Sequence, residues 1–200
     1  MILSFSRRFI LASRSPRRLK LLEQLGLHPE VIPSNLSEDF DNSLSVEENI
    51  KSFAELKAKT VSENIDNGII VGADTVVVLE KEVLGKPIDS ADAFKILRKL
   101  SGKMHRVLTA FCVYSTPEER SFTAVETTNV YFIQLSDEEI ERYISIEKPF
   151  DKAGAYGIQD RTAVFVEKIE GSYENVMGFP LSRFYKAMKD KDNVNSLNLN

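Results

Sequence analysis

Apolar residues along the chain alternate between short continuous runs and helical spacings, and the order of the two patterns predicts an α/β protein. Phe9-Ile10-Leu11-Ala12 is a strand-length run, broken by Ser13-Arg14-Ser15-Pro16. Leu21, Leu22 and Leu25 then follow at helical spacing up to Gly26, with Ser15 suited to the N-cap and Pro16 to the first helical position. Pro29 to Ile32 predicts a second strand, and Asn35 to Asn42 an acidic loop carrying Glu38, Asp39 and Asp41. Ser45-Val46-Glu47-Glu48 is a capping box that opens a helix to about Asn64, with Val46, Ile50, Phe53, Ala54 and Val61 on one stripe. The β-branched runs Gly68 to Val71 and Val76 to Leu79 bracket Gly72-Ala73-Asp74-Thr75, and Glu80 to Glu82 turns the chain back into Val83-Leu84. Asp89 caps a helix with Ala93, Phe94, Leu97 and Leu100 on its face. Val107 to Tyr114 and Thr123 to Gln134 predict long antiparallel strands across a turn at Pro117. A second capping box at Ser136 to Glu139 opens a helix carrying Ile140, Tyr143 and Ile144, and Asp151 to Gln159 is a loop of small residues. Ala163 to Ile169 and Ser172 to Met177 are expected to form a hairpin about Gly171, Pro180 to start the last helix, and Asp190 to Asn200 to fray as a tail.

Three polar features interrupt these patterns. Arg17 and Arg18 fall in the first turn of the first helix, where the exposed N–H groups and the helix dipole already favour an anion. A cation is disfavoured there by roughly 0.3–1 kcal/mol, so either both arginines are solvated surface charges or the turn binds a phosphate or carboxylate. Lys57 lies within the apolar stripe of the second helix, and its ammonium must snorkel to water or meet a carboxylate or phosphate. Asp74 stands between two runs that look buried, which suits a general base or metal ligand, or else a turn residue bonded to its own backbone. Lys86, held between Gly85 and Pro87, serves equally as an anion contact or as a surface residue. The acids of the 35–42 loop allow either a solvated linker or help with a divalent cation.

Composition narrows the class. With 200 residues, 42% of them hydrophobic, the chain can bury a core as one domain or as two small lobes. Its single cysteine, Cys112, sits in an apolar run and predicts packing in a reducing, cytoplasmic setting. Thirty acids against 26 bases give a net charge of −4, which argues against a general nucleic-acid binder. No stretch approaches the roughly 20 apolar residues of a membrane span. Two histidines, no cysteine pair and no HExxH exclude the common zinc patterns, and neither GxGxxG nor GxxxxGK[ST] is present.

Taken together, SRSPRR at Ser13–Arg18, GADT at Gly72–Thr75, LGKP at Leu84–Pro87, LSGK at Leu100–Lys103 and DKAGAYGIQ at Asp151–Gln159 closely resemble the Maf family of nucleoside triphosphate pyrophosphatases, in order from about Ile10 to Lys189. The resemblance implies one domain over residues 1–190, built as two lobes around a mixed, elongated sheet similar to that of inosine triphosphate pyrophosphatases, with the nucleotide in a cleft and residues 191–200 as a flexible tail. It implies hydrolysis between the α- and β-phosphates to monophosphate and pyrophosphate, dependent on a divalent ion such as Mg²⁺, and it allows a homodimer. Ser13, Arg17 and Arg18 would bind substrate, and Lys57 and Lys86 would add charge on the phosphates. Asp74 would be the proton acceptor and, with Glu38, a metal ligand. Arg17, Thr75 and Gln159 match the specificity positions of the branch acting on dTTP and UTP, where the Gln159 amide suits the O4/N3–H edge of thymine or uracil. A pyrophosphatase for modified nucleotides and a nucleotide-binding regulator of cell division are the other readings.

Overall fold

The computed structural model describes residues 3, 5–36 and 39–197. Strand β1 (Arg8–Leu11) is followed by helix α1 (Pro16–Gln24), where Ser15 Oγ accepts from the Arg18 backbone N–H and Gly26 leaves the helix at φ 77°. Short strand β2 (Glu30–Val31) runs parallel to β1. Helix α2 (Val46–Ser62) starts with the expected capping box, in which Ser45 Oγ accepts from Glu48 N–H at 3.2 Å and Glu48 Oε2 accepts from Ser45 N–H at 2.8 Å. Strand β3 (Gly68–Leu79) pairs parallel with β1 and then antiparallel with β4 (Glu82–Leu84). Helix α3 (Ser90–Leu100), strands β5 (Met104–Thr116) and β6 (Arg120–Phe132), and helix α4 (Asp137–Glu147) follow as the periodicities predict. Two 3₁₀ turns (Ala153–Ala155 and Arg161–Phe165) lead to β7 (Val166–Glu170), antiparallel to β6, and the chain closes with α5 (Tyr173–Met177), α6 (Leu181–Lys189) and α7 (Lys191–Ser196). The result is a seven-stranded mixed sheet in the order β2-β1-β3-β5-β6-β7, with β4 paired to β3. No described helix is long and apolar enough to cross a membrane.

The chain divides into two compact units. The first comprises Met1–Asp74, Thr109–Glu126 and Gly178–Asn200, and the second Thr75–Leu108 and Thr127–Met177. In the first, Phe111, Phe179 and Phe184 are fully buried against one another, with ring centroids 5.2–5.7 Å apart. Cys112 is buried beside them on β5, and burial pushes its thiol up to about 12, so it packs as a small apolar residue.

Three local expectations are corrected. The two runs around GADT are one continuous strand, because the Asp74 carboxylate finds a lysine and so carries no unpaired charge into the sheet. Ser172 to Met177 is not the second arm of a hairpin; β7 takes β6 as its partner, with Val130 opposite Ile169. There Ser172 Oγ accepts from Asn175 N–H at 3.2 Å and opens α5, which turns the Asn175 amide inward to donate to Val107 O and Thr128 Oγ1, each at 3.0 Å. Residues 191–196, expected to fray, form α7, capped by the Asp190 carboxylate, and Leu197 behind it is buried with its carbonyl accepting from Ser115 Oγ at 2.8 Å.

Gly72 sets how closely α2 lies on β3. A Cβ at that position would stand 2.2 Å from Ala54 O and 2.8 Å from Ala58 N, both backbone atoms of α2. The helix presents two alanines one turn apart at the contact, and neither backbone can give way. Gly72→Ala is therefore expected to destabilise the protein by about 1–3 kcal/mol, read as a lower urea midpoint at unchanged m-value.

Candidate active site

The first unit holds Ser13, Arg17, Arg18, Lys57 and Asp74, on or beside β1 and β3. β1 lies between β2 and β3, both parallel to it, and its chain leaves through α1 toward β2 while β3 is reached through α2. The carboxyl end of such a strand is where ligands bind open α/β sheets. β1 stops opposite Val71, whose carbonyl accepts from Ala12 N–H at 2.8 Å, and β3 continues past it to Asp74. At ~3.3 Å per residue this sets Asp74 ~10 Å beyond the end of the β1 pairing.

At that end the turn into α1 is tied together by side chains. Ser13 is buried, and its Oγ accepts from Ser15 N–H at 3.2 Å and from Arg18 Nη1 at 3.0 Å. Arg18 Nε also donates to Gly178 O at 2.9 Å, so the guanidinium is braced on both sides of the turn. Arg17 is half-buried in the same turn, and no acid occupies the first turn of α1. The helix N-terminus thus keeps its positive end, with two guanidinium groups beside it.

Lys57 and Asp74 are paired. Lys57 Nζ lies 2.6 Å from Asp74 Oδ1 and donates also toward Ala73 O at 3.4 Å, and the two side chains are only 10% and 7% exposed. The pairing follows from strand periodicity: Gly72 and Asp74 point to the same face of β3, so the close approach of α2 at Gly72 brings Lys57 onto Asp74 two residues further along. Snorkelling is excluded for this lysine. Its ammonium, expected from the family resemblance to reach phosphates, meets the Asp74 carboxylate here.

In the second unit, Thr75 follows Asp74 on β3, Lys86 is exposed after β4, and Gln159 is exposed in the 151–159 segment. That segment is joined to LGKP, since Gly154 N–H donates to Gly85 O at 3.0 Å. It is also anchored by His105, a residue the sequence did not single out except in excluding zinc. His105 Nε2 lies 2.8 Å from Tyr156 OH, its ring packs edge-on against Tyr156 and Phe132, and burial pushes its imidazole down to about 4, which keeps it neutral. A histidine just ahead of the apolar run from Val107 was the available signal.

Glu38 lies outside the described residues. Among the described residues no group of three or more His, Cys, Asp or Glu gathers to cage a metal. Asp41, a neighbour in the same loop, is engaged locally, with Oδ1 accepting from Ser43 N–H at 2.8 Å and Ser43 Oγ at 2.6 Å. The buried Asp74 carboxylate, paired through Oδ1 with Lys57, supplies oxygen of the type a hard ion such as Mg²⁺ accepts, which takes one or two carboxylates and keeps water and phosphate oxygens for the rest.

The fold and these residues define an α/β protein with two arginines in the first turn of α1 and a buried acid–lysine pair on β3. Comparison with known families places it further: residues 8–191 match the family model described as Maf-like protein, and the chain belongs to the Maf family. It is similar to a dTTP/UTP pyrophosphatase of Caldicellulosiruptor bescii, with 49% identity covering 88% of this chain and 91% of that protein. It is also similar to dTTP/UTP pyrophosphatases of Alkaliphilus oremlandii, at 46% identity over 96% of this chain and 100% of that protein, and of Dictyoglomus turgidum, at 48% over 87% and 91%.

Proposed function

We propose that this protein hydrolyses nucleoside triphosphates, dTTP and UTP ahead of others, to the monophosphate and pyrophosphate with the help of a divalent ion, most simply Mg²⁺, as a cytoplasmic enzyme. The observation that carries this reading is the buried Lys57–Asp74 pair on the strand beside the Ser13–Arg18 turn, in a chain 45–49% identical to proteins named for that activity. Asp74 is the proton acceptor. A water oxygen bonds to phosphorus while its proton passes to the Asp74 carboxylate, and pyrophosphate leaves with the electron pair of the broken anhydride bond. Lys57, whose Nζ lies 2.6 Å from Oδ1, aims that carboxylate.

Arg17 and Arg18, with the N–H groups of α1, hold phosphate oxygens, and Ser13 and Gly178 O fix the Arg18 fork. Lys86 adds charge, and Thr75 and Gln159 choose the base, with the Gln159 amide both giving and accepting a hydrogen bond. Asp74, with Glu38, would hold the ion. When bound, the ion neutralises phosphate charge and stabilises the leaving pyrophosphate.

The test is pyrophosphate release with Mg²⁺ across dTTP, UTP, CTP, GTP, 7-methyl-GTP and ATP. Preference for dTTP and UTP is expected. Preference for a modified nucleotide would reassign the substrate, and binding without turnover would put a regulatory role first; Asp74 favours turnover, since a pure binder gains nothing from an acid facing a triphosphate unless a metal sits between them.

A further inference from the structure

Segment 151–160 is held at several points, and one of them has no role in the reading above. Gly154 is fixed by Gly85 O and by Val77, against which a Cβ would stand 2.8 Å. Tyr156 is fixed by His105, and Gly157 O accepts from Asp160 N–H at 2.8 Å and Thr162 Oγ1 at 2.6 Å. Beyond these, the segment closes on itself. Lys152 Nζ lies 3.1 Å from Asp160 Oδ2 and 3.3 Å from Asp151 Oδ1, with Lys152 13% and Asp160 24% exposed at the side chain.

The lysine stem crosses directly over Gly157, where a Cβ would meet Lys152 Cε at 2.9 Å, Cδ at 3.0 Å and Asp160 Oδ2 at 2.6 Å. A Cβ at 157 would push the ends of these two side chains aside, so the glycine leaves room for their pairing. Asp160 Oδ2 is itself buried and accepts no hydrogen bond, so the ammonium supplies the opposing charge. Gln159, exposed and with three rotatable bonds, precedes the residue so held.

We propose that Lys152 and Asp160 are positioning residues which buckle this segment over Gly157 and so fix how Gln159 meets the substrate base. The inference rests on the pyrimidine triphosphate reading above. A long amide side chain discriminates between bases only if its backbone is held to a fraction of an ångström. The ion pair does that locally. Both partners lie outside the strands and helices. Their loss should therefore appear in base recognition more than in folding.

Lys152→Met, Asp160→Asn and the double variant test this by steady-state pyrophosphate release with UTP and CTP, which differ at the edge that Gln159 would face. Each single variant is expected to raise KM for UTP about tenfold and to lower the UTP-over-CTP preference by a similar factor, with kcat within about twofold. The double variant should be no worse than Lys152→Met, because the Lys152–Asp160 pair is already lost in either single variant, while the contact of Lys152 with Asp151 goes only with the lysine. Gly157→Ala should behave alike. Unchanged KM and preference, additive effects, or a loss of kcat that tracks a lower melting temperature would overturn the proposal.

Amide hydrogen exchange over residues 157–160 separates this inference from the reading beneath it. If the wild-type protein turns over no triphosphate, the substrate reading fails, and the buckle stands only if exchange there is faster in the variants. Unchanged exchange overturns it whatever the activity.

Discussion

Replacing Asp74 by asparagine is expected to lower kcat for dTTP by about 10³-fold, within the ~10²–10⁴ that a positioned general base contributes. The substitution keeps size and shape, and it leaves an amide oxygen where Oδ1 now lies 2.6 Å from Lys57 Nζ. What it removes is the capacity to take a proton from water at neutral pH. Because the residue lies inside a continuous strand, its backbone is held by the sheet and the variant should keep the wild-type circular dichroism. Single-turnover rates on folded protein, read beside dTTP binding, provide the check. Wild-type rates in Asp74→Asn would remove this residue from the chemistry and leave the acid–lysine pair as a structural device.

The second large effect concerns stability. Lys57→Met keeps the apolar stem of the side chain in the stripe of α2 but takes the lysine charge away from the buried Asp74 carboxylate, and breaking such a pair costs about 3–5 kcal/mol. Removing the carboxylate as well restores most of this, because replacing both members of a buried pair is often neutral. Urea unfolding of Lys57→Met, Asp74→Asn and the double variant measures the coupling, and the double variant is expected to be more stable than Lys57→Met by a clear margin. If Lys57→Met unfolds at the wild-type midpoint, the ammonium reaches water in solution and the pair adds nothing to the fold.

Much of the site was visible in the chain itself, and the parts that were not share a cause. Arg17 and Arg18 stood out because their charge opposes the helix end they occupy, and Asp74 because an acid is rare within a β-branched run. That Lys57 answers Asp74 depends on Gly72, Ala54 and Ala58 letting two elements approach, a contact between residues 16–17 positions apart. The Lys152–Asp160 closure was hidden for a different reason. A charged pair at the two ends of a small-residue loop looks like ordinary solvated surface until the loop is seen to fold over Gly157.

The helix starts at Ser15, Ser45, Asp89 and Ser136, the stop at Gly26, and the alternation of strands and helices were determined by the chain alone, because each depends on neighbours within a turn. The order of strands in the sheet, the helix at Tyr173–Met177 in place of a strand, and the partners of Lys57, Lys152 and His105 were decided only in three dimensions. Short apolar segments satisfy strand and helix about equally well. What selects between them, as Asn175 shows with its bonds to Val107 and Thr128, is a hydrogen-bond or charge partner that the fold brings from far along the chain.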